Sequence, residues 1–195
     1  MDYTNNLDSG KGFIHTEYID LKVCDNLLEY FENHPNKGPG KTYSGNNLTV
    51  DTLVKKSTDV HISYGCTDKP ITDYLISLQK VLENYIVKFP TLNNQNKFTI
   101  VEGFNIQRYY PNEGFFKWHC EISGIKSSSR LLVFTTYLNT INDGGETEFM
   151  YQNVKIKPKK GLTMIFPADW MYVHRGVTSS TETKWIATGW FSYVE

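Results

Sequence analysis

Residues 115–121, FFKWHCE, set an imidazole and a carboxylate two positions apart, His119 and Glu121. In an extended strand alternate side chains share a face, so this pair can offer one ion a nitrogen and an oxygen while Trp118 and Cys120 point the other way. A third ligand from a distant strand would complete two histidines and one carboxylate on one side of a metal, the donor set of non-haem Fe(II) oxygenases. His174, in MYVHRGV, is the best-placed candidate. Ten residues later, Lys184 is the right kind of group to neutralise the far carboxylate of a bound dicarboxylic acid. A bare His-x-acid also occurs as a surface pair, so its meaning depends on the elements that carry it.

Those elements are mostly strands. Asp20 is placed to cap a helix over LKVCDNLLEYFENH, whose Val23, Leu27, Tyr30 and Phe31 form one stripe; Pro35 ends it, and His34 sits where it can face the helix dipole. Residues 36–47, NKGPGKTYSGNN, carry three glycines and a proline and predict a loop, of the kind that serves as a lid. One or two strands follow, with His61 among polar neighbours. Residues 71–89 repeat apolar positions at helical spacing, from Tyr74 and Leu75 to Tyr85 and Ile86. After Lys97 the runs FTIVEGFNIQRYY, RLLVFTTYLN, ETEFMYQNVKIKP, LTMIFP, VHRGVT and KWIATGWFSYV read as strands, separated by turns at Asn142–Gly145 and Lys160–Gly161. Two helices ahead of seven or eight strands predict a mainly β fold with flanking helices (α+β), a two-sheet jelly roll with helices packed on one sheet. We expect a single domain over 1–195, with 1–97 as helical support and lid and 98–195 as the barrel.

Composition narrows the function classes. The net charge of −1 gives no overall attraction to nucleic acid or to an anionic membrane surface, and neither is expected as a partner. Lys155, Lys157, Lys159 and Lys160 form a local basic run, its first three members on one strand face; a solvated, lysine-guarded sheet edge is the preferred account of it over the steering of an acidic partner or nucleic acid. Three widely spaced cysteines, Cys24, Cys66 and Cys120, suggest neither a disulfide framework nor a zinc knuckle and fit a reducing, cytoplasmic setting. The polar start MDYTNNLDSGKG reads as an irregular arm without secretion-signal character, and no apolar run approaches the roughly twenty residues of a membrane helix.

From about Gly103 to Trp190 the chain resembles the 2-oxoglutarate and Fe(II)-dependent dioxygenases, and within them the prolyl 4-hydroxylase-like branch. The resemblance lies in RYYPNEGFFKWHCE, RLLVFTTYLN, GGETEF, FPADWMYVHRGV and KWIATGW, in that order. It implies a double-stranded β-helix with iron on His119, Glu121 and His174, where Glu121 replaces the family's usual Asp. It also implies that Lys184 pairs with the distal carboxylate of 2-oxoglutarate, and that Tyr137 and Tyr109 hydrogen-bond this cosubstrate, with Tyr110 as the alternative to Tyr109. Arg130 resembles an arginine near the substrate mouth, Trp190 a core tryptophan, and GGET a tight turn without a catalytic role. The implied activity is hydroxylation of a C–H bond, with a prolyl residue of a peptide or protein as the leading substrate, ascorbate as an auxiliary reductant, and succinate and CO2 as products. Another amino-acid side chain or a free small molecule is the alternative substrate. A cupin-like metal protein that works without 2-oxoglutarate, or a non-catalytic binding module, is the alternative class.

Overall fold

The computed structural model describes residues 12–44 and 47–194; the expected N-terminal arm falls almost wholly outside them. The chain runs β1 (His15–Tyr18), α1 (Leu21–Asn33), β2 (Gly38–Pro39), β3 (Thr42–Ser44), β4 (Asn47–Thr49), β5 (Lys55–Lys56), β6 (Thr58–Ile62) and α2 (Lys69–Lys88). It continues through β7 (Phe98–Thr99), β8 (Phe104–Tyr109), β9 (Gly114–Phe115), β10 (Arg130–Tyr137), β11 (Thr147–Phe149), β12 (Val154–Ile156), β13 (Leu162–Pro167), β14 (His174–Gly176) and β15 (Lys184–Tyr193). The large antiparallel sheet has the order β1-β13-β10-β15-β8-β6-β2, with β7 also on β15; a smaller sheet has the order β12-β11-β14. Together they make a jelly roll. Because β1, β2 and β6 belong to this sheet, the first half of the chain builds the barrel as well as covering it.

Period-two alternation in the central strands separates two cores. Leu132, Phe134, Ile106, Val60 and Ala187 face the helices and meet Leu27 and Phe31 of α1 and Tyr74, Leu78 and Tyr85 of α2. Val133, Tyr137, Met164 and Phe166 face the small sheet and meet Phe149 and Ile156. The site residues lie on this second, between-sheet face.

The first helix begins as its sequence predicts, with the Asp20 carboxylate accepting from Lys22 N–H at 2.8 Å. Its C-terminal carbonyls are served differently. Lys37 Nζ donates to the carbonyls of Phe31, Glu32 and His34, whereas His34 Nδ1 accepts from Asn36 N–H, so the cation at the dipole's negative end is Lys37. The glycine-rich stretch expected as a loop instead contains β2 and the β3–β4 pair, in which Tyr43 lies opposite Leu48. The basic run is not one strand face: β12 ends at Ile156, Lys155 pairs with Glu148 at 3.2 Å, and Lys160 pairs with Asp25 on α1.

Candidate metal centre

The ligand segment is not a continuous strand. Beyond Phe115 it is irregular, and His119 joins β14 through a single antiparallel bridge, His119 N–H to His174 O at 3.0 Å and His174 N–H to His119 O at 2.8 Å. Residues directly opposite across such a bridge project to the same side, which brings the imidazoles together with ring centroids 4.4 Å apart. Glu121 N–H and Ile122 N–H both donate to Ala168 O, and this tie turns the Glu121 side chain back toward the same point.

Both tautomers follow from the backbone. His119 Nδ1 lies 2.9 Å from Lys117 O and His174 Nδ1 lies 2.9 Å from Tyr172 O; a carbonyl only accepts, so each Nδ1 carries the proton. Each Nε2 then offers a lone pair, and both point at Glu121 Oε1, at 3.4 and 3.5 Å. The donor atoms of the three residues lie within 4.8 Å of one another. Two lone pairs and one carboxylate oxygen facing each other repel unless a cation lies between them, so the donor set fits a first-row divalent metal. Side chains 10–18% exposed leave the point reachable from solution. Burial acts to raise the Glu121 pKa, but a proton taken up on the Nε2 atoms in place of a metal would let the imidazoles donate to the carboxylate and bring charge beside it, which outweighs burial and pulls the carboxyl well below its usual range. Burial, with His174 adding to it, lowers that of His119.

Lys184 and Tyr109 are directly paired across β15 and β8, with Lys184 Nζ 5.1 Å from the Tyr109 ring centroid. Lys184 is 5% exposed and, among the described residues, its ammonium donates to Gly145 O alone, at 3.0 Å; burial lowers its pKa to about 8, against a smaller opposing pull from Glu146. Gly176 stands two residues after His174 on β14, and a Cβ there would come 3.7 Å from Lys184 Nζ. The i to i+2 step of a strand, roughly 6.5 Å, therefore separates the His174 end of this face from the ammonium. That span suits a short dicarboxylate with one end on the metal and the other at Lys184.

The remaining expected residues divide. Tyr109 is buried with its hydroxyl donating to Gln107 Oε1 at 2.7 Å, whereas Tyr110 is 46% exposed, so Tyr109 is the tyrosine that faces Lys184. Tyr137 also points between the sheets, but its hydroxyl is engaged by Thr147 Oγ1 and Ile156 O and accepts from Thr147 N–H. Arg130 lines a cavity beside Tyr43 and Ser123–Ser127, but it is not a free cation there: it is buried, chelates Glu102 at 3.0 and 2.6 Å, and stacks on Trp190. His61 is exposed beside Asn105 and stays outside the cluster. Sequence reasoning missed a buried polar network behind Tyr109, in which Asp59 accepts from Lys55 and Ser57, both at 2.7 Å, and from Gln107 at 3.3 Å. Polar residues at 105, 107 and 109 on one face of β8 signal Gln107, but nothing local signals Lys55. GGET does take part, because its Gly145 carbonyl holds Lys184.

Comparison with known proteins follows the same segment. Residues 104–192 match the 2OG-Fe(II) oxygenase superfamily. A probable prolyl 4-hydroxylase 9 of Arabidopsis thaliana is 28% identical over 115 residues, covering 46% of this chain and 40% of its own length. A putative prolyl 4-hydroxylase of Acanthamoeba polyphaga mimivirus is 24% identical over 93% of this chain and 74% of its own. The chain thus spans well under half of the first relative and about three quarters of the second. In fold, a Pseudomonas putida prolyl-4-hydroxylase superposes with a TM-score of 0.70 at 15% identity, covering 99% of both chains. A viral collagen prolyl hydroxylase from Paramecium Bursaria Chlorella virus-1 superposes with a TM-score of 0.68 at 18% identity, over 95% of this chain and 99% of that one. Over residues 104–192 the chain is therefore similar to the 2OG-Fe(II) oxygenase superfamily, and its fold is the one shared by the prolyl 4-hydroxylases on which it superposes.

Proposed function

We propose that this protein is a 2-oxoglutarate-dependent Fe(II) dioxygenase that hydroxylates a C–H bond, with a prolyl residue of a peptide or protein as its substrate and succinate and CO2 as coproducts. The observation that carries this reading is the convergence of His119 Nε2, His174 Nε2 and Glu121 Oε1 on one point, with a buried, nearly unpartnered ammonium on the same face. His119, Glu121 and His174 would hold Fe(II), and Lys184 and Tyr109 would hold the cosubstrate. The iron and 2-oxoglutarate together supply the oxidising chemistry. The chain's own share is positional. Nδ1 hydrogen bonds fix both imidazoles as donors, Lys184 neutralises the far carboxylate where a bare one would be heavily penalised, and the between-sheet core excludes water. Tyr137 is assigned to the wall of the cosubstrate pocket, supporting it through Thr147.

The peptide as substrate class draws support from a structural neighbour, a prolyl hydroxylase from Trichoplax adhaerens in complex with a hypoxia inducible factor oxygen degradation domain peptide, with a TM-score of 0.67 at 14% identity over 92% of this chain. Ascorbate would complete the cofactor set as an auxiliary reductant. A cytoplasmic setting is supported by three unpaired thiols, and among the described residues no helix is long and apolar enough to cross a membrane. The test is to incubate the protein with Fe(II), 2-oxoglutarate, ascorbate and a panel of proline-rich peptides. One peptide should gain the mass of one oxygen atom at proline while succinate accumulates, and His174→Ala should make neither product while keeping its circular dichroism spectrum. Succinate formation undiminished in that variant would remove His174 from the site, and turnover of free amino acids in place of any peptide would move the substrate class.

A further inference from the structure

Glutamate has several side-chain torsions and two chemically equivalent oxygens, so an untethered Glu121 could turn either oxygen, or both, toward the histidines. Its outer oxygen is already taken. Trp190 Nε1–H donates to Oε2 at 2.9 Å, and Arg130 Nη1 stands 3.8 Å from the same atom. An indole nitrogen only donates, so it can hold nothing there but an acceptor.

The donor is itself immobilised. The Arg130 guanidinium lies 3.6 Å from the Trp190 ring centroid, bonds Glu102 through Nε and Nη2, and donates from Nη1 to the Glu121 backbone carbonyl at 3.1 Å. Ser192, next but one along β15, donates to Glu102 Oε1 at 3.3 Å. Neighbouring strands β10 and β15 thus grip the carboxylate from behind, while its inner oxygen alone faces the imidazoles.

We infer that Trp190, backed by Arg130 and Glu102, is a positioning residue that makes Glu121 a one-oxygen ligand. The inference rests on the reading of Glu121 as a metal ligand and goes beyond it. A glutamate binding through both oxygens would occupy one more coordination position; held by one, it leaves that position to cosubstrate and oxygen. The clamp should also suit glutamate better than aspartate, because on the same backbone a carboxylate one methylene shorter reaches less far and should give up the indole or the metal.

That geometry makes a double-mutant cycle decisive. Co(II) affinity is measured by calorimetric titration on wild type, W190F, E121D and W190F/E121D, with folding followed by thermal melting. Removing the indole N–H from the Glu121 protein should weaken Co(II) about 10- to 100-fold, the usual size of such an outer hydrogen bond. In the E121D background the same change should alter affinity by no more than about twofold. Incorporating benzothienylalanine at position 190 keeps the ring's shape without its N–H and should repeat the W190F loss even if the phenylalanine variant folds poorly. Unchanged affinity on loss of the N–H, or equal losses in both backgrounds, would overturn the clamp. E121A separates the two ideas: wild-type Co(II) affinity there removes the ligand reading itself, whereas its loss beside a silent W190F removes the clamp alone.

Discussion

At the scale of single residues, Lys184 shows most clearly what function does to stability. Its ammonium is buried with one carbonyl partner, and its pKa falls from 10.5 to about 8. A folded-state pKa below the unfolded one means the folded chain disfavours the proton. The penalty is full below about pH 8, roughly 3 kcal/mol, and fades as pH rises toward 10.5. Lys184→Met should therefore stabilise the ligand-free protein at pH 7 by about 1–3 kcal/mol in urea titrations while raising the 2-oxoglutarate requirement at least tenfold. In the wild type the apparent affinity for 2-oxoglutarate should decline above about pH 8, as the free amine loses the charge that the dicarboxylate needs. A flat profile to pH 10, or destabilisation by Met, would contradict this role. His119, Glu121 and His174, which the structure brings together, were singled out in sequence by residue type and spacing read together with the family resemblance, and Lys184 by that resemblance. The pairing of Arg130 was not legible there, because its partner Glu102 lies 28 residues earlier and only the fold brings them together.

At the scale of elements, what positions Tyr109 is a buried charge pair. Lys55 and Asp59 are 4% and 12% exposed, and Asp59 orients the Gln107 amide whose oxygen receives the Tyr109 hydroxyl. The same spot anchors the segment before the β3–β4 pair: Gly40 N–H donates to Ser57 O, and a Cβ on Gly40 would come within 2.1 Å of Ser57 Oγ. Asp59→Ala should cost about 3–5 kcal/mol, because it leaves the Lys55 ammonium buried without its counter-charge. The double change Lys55→Met with Asp59→Leu should recover most of that loss in the same denaturation assay. A loss below about 1 kcal/mol for Asp59→Ala would mean that water reaches the pair. Helices α1 and α2 were legible because apolar spacing and an Asp cap act locally. The short strands β2 to β5 were not, since two- and three-residue strands owe their existence to partners such as Phe115 opposite Lys55 rather than to their own pattern.

At the scale of the whole molecule, the jelly roll turns two distant histidines into neighbours by setting β14 of the small sheet against the segment that runs from β9 toward β10 of the large one. The runs that became β10 and β15, with the two helical stripes ahead of them, announced a two-sheet fold with helices packed on one sheet; the bridge between His119 and His174 could only come from the closed fold. The central claim is that these two imidazoles and Glu121 bind one metal. Anomalous diffraction from crystals grown anaerobically with Fe(II) and 2-oxoglutarate tests it most directly. We predict a single strong peak within about 2.2 Å of His119 Nε2, His174 Nε2 and Glu121 Oε1, the ordinary reach of imidazole and carboxylate bonds to a first-row metal. A peak elsewhere on the surface, or none at full iron loading, would contradict the account.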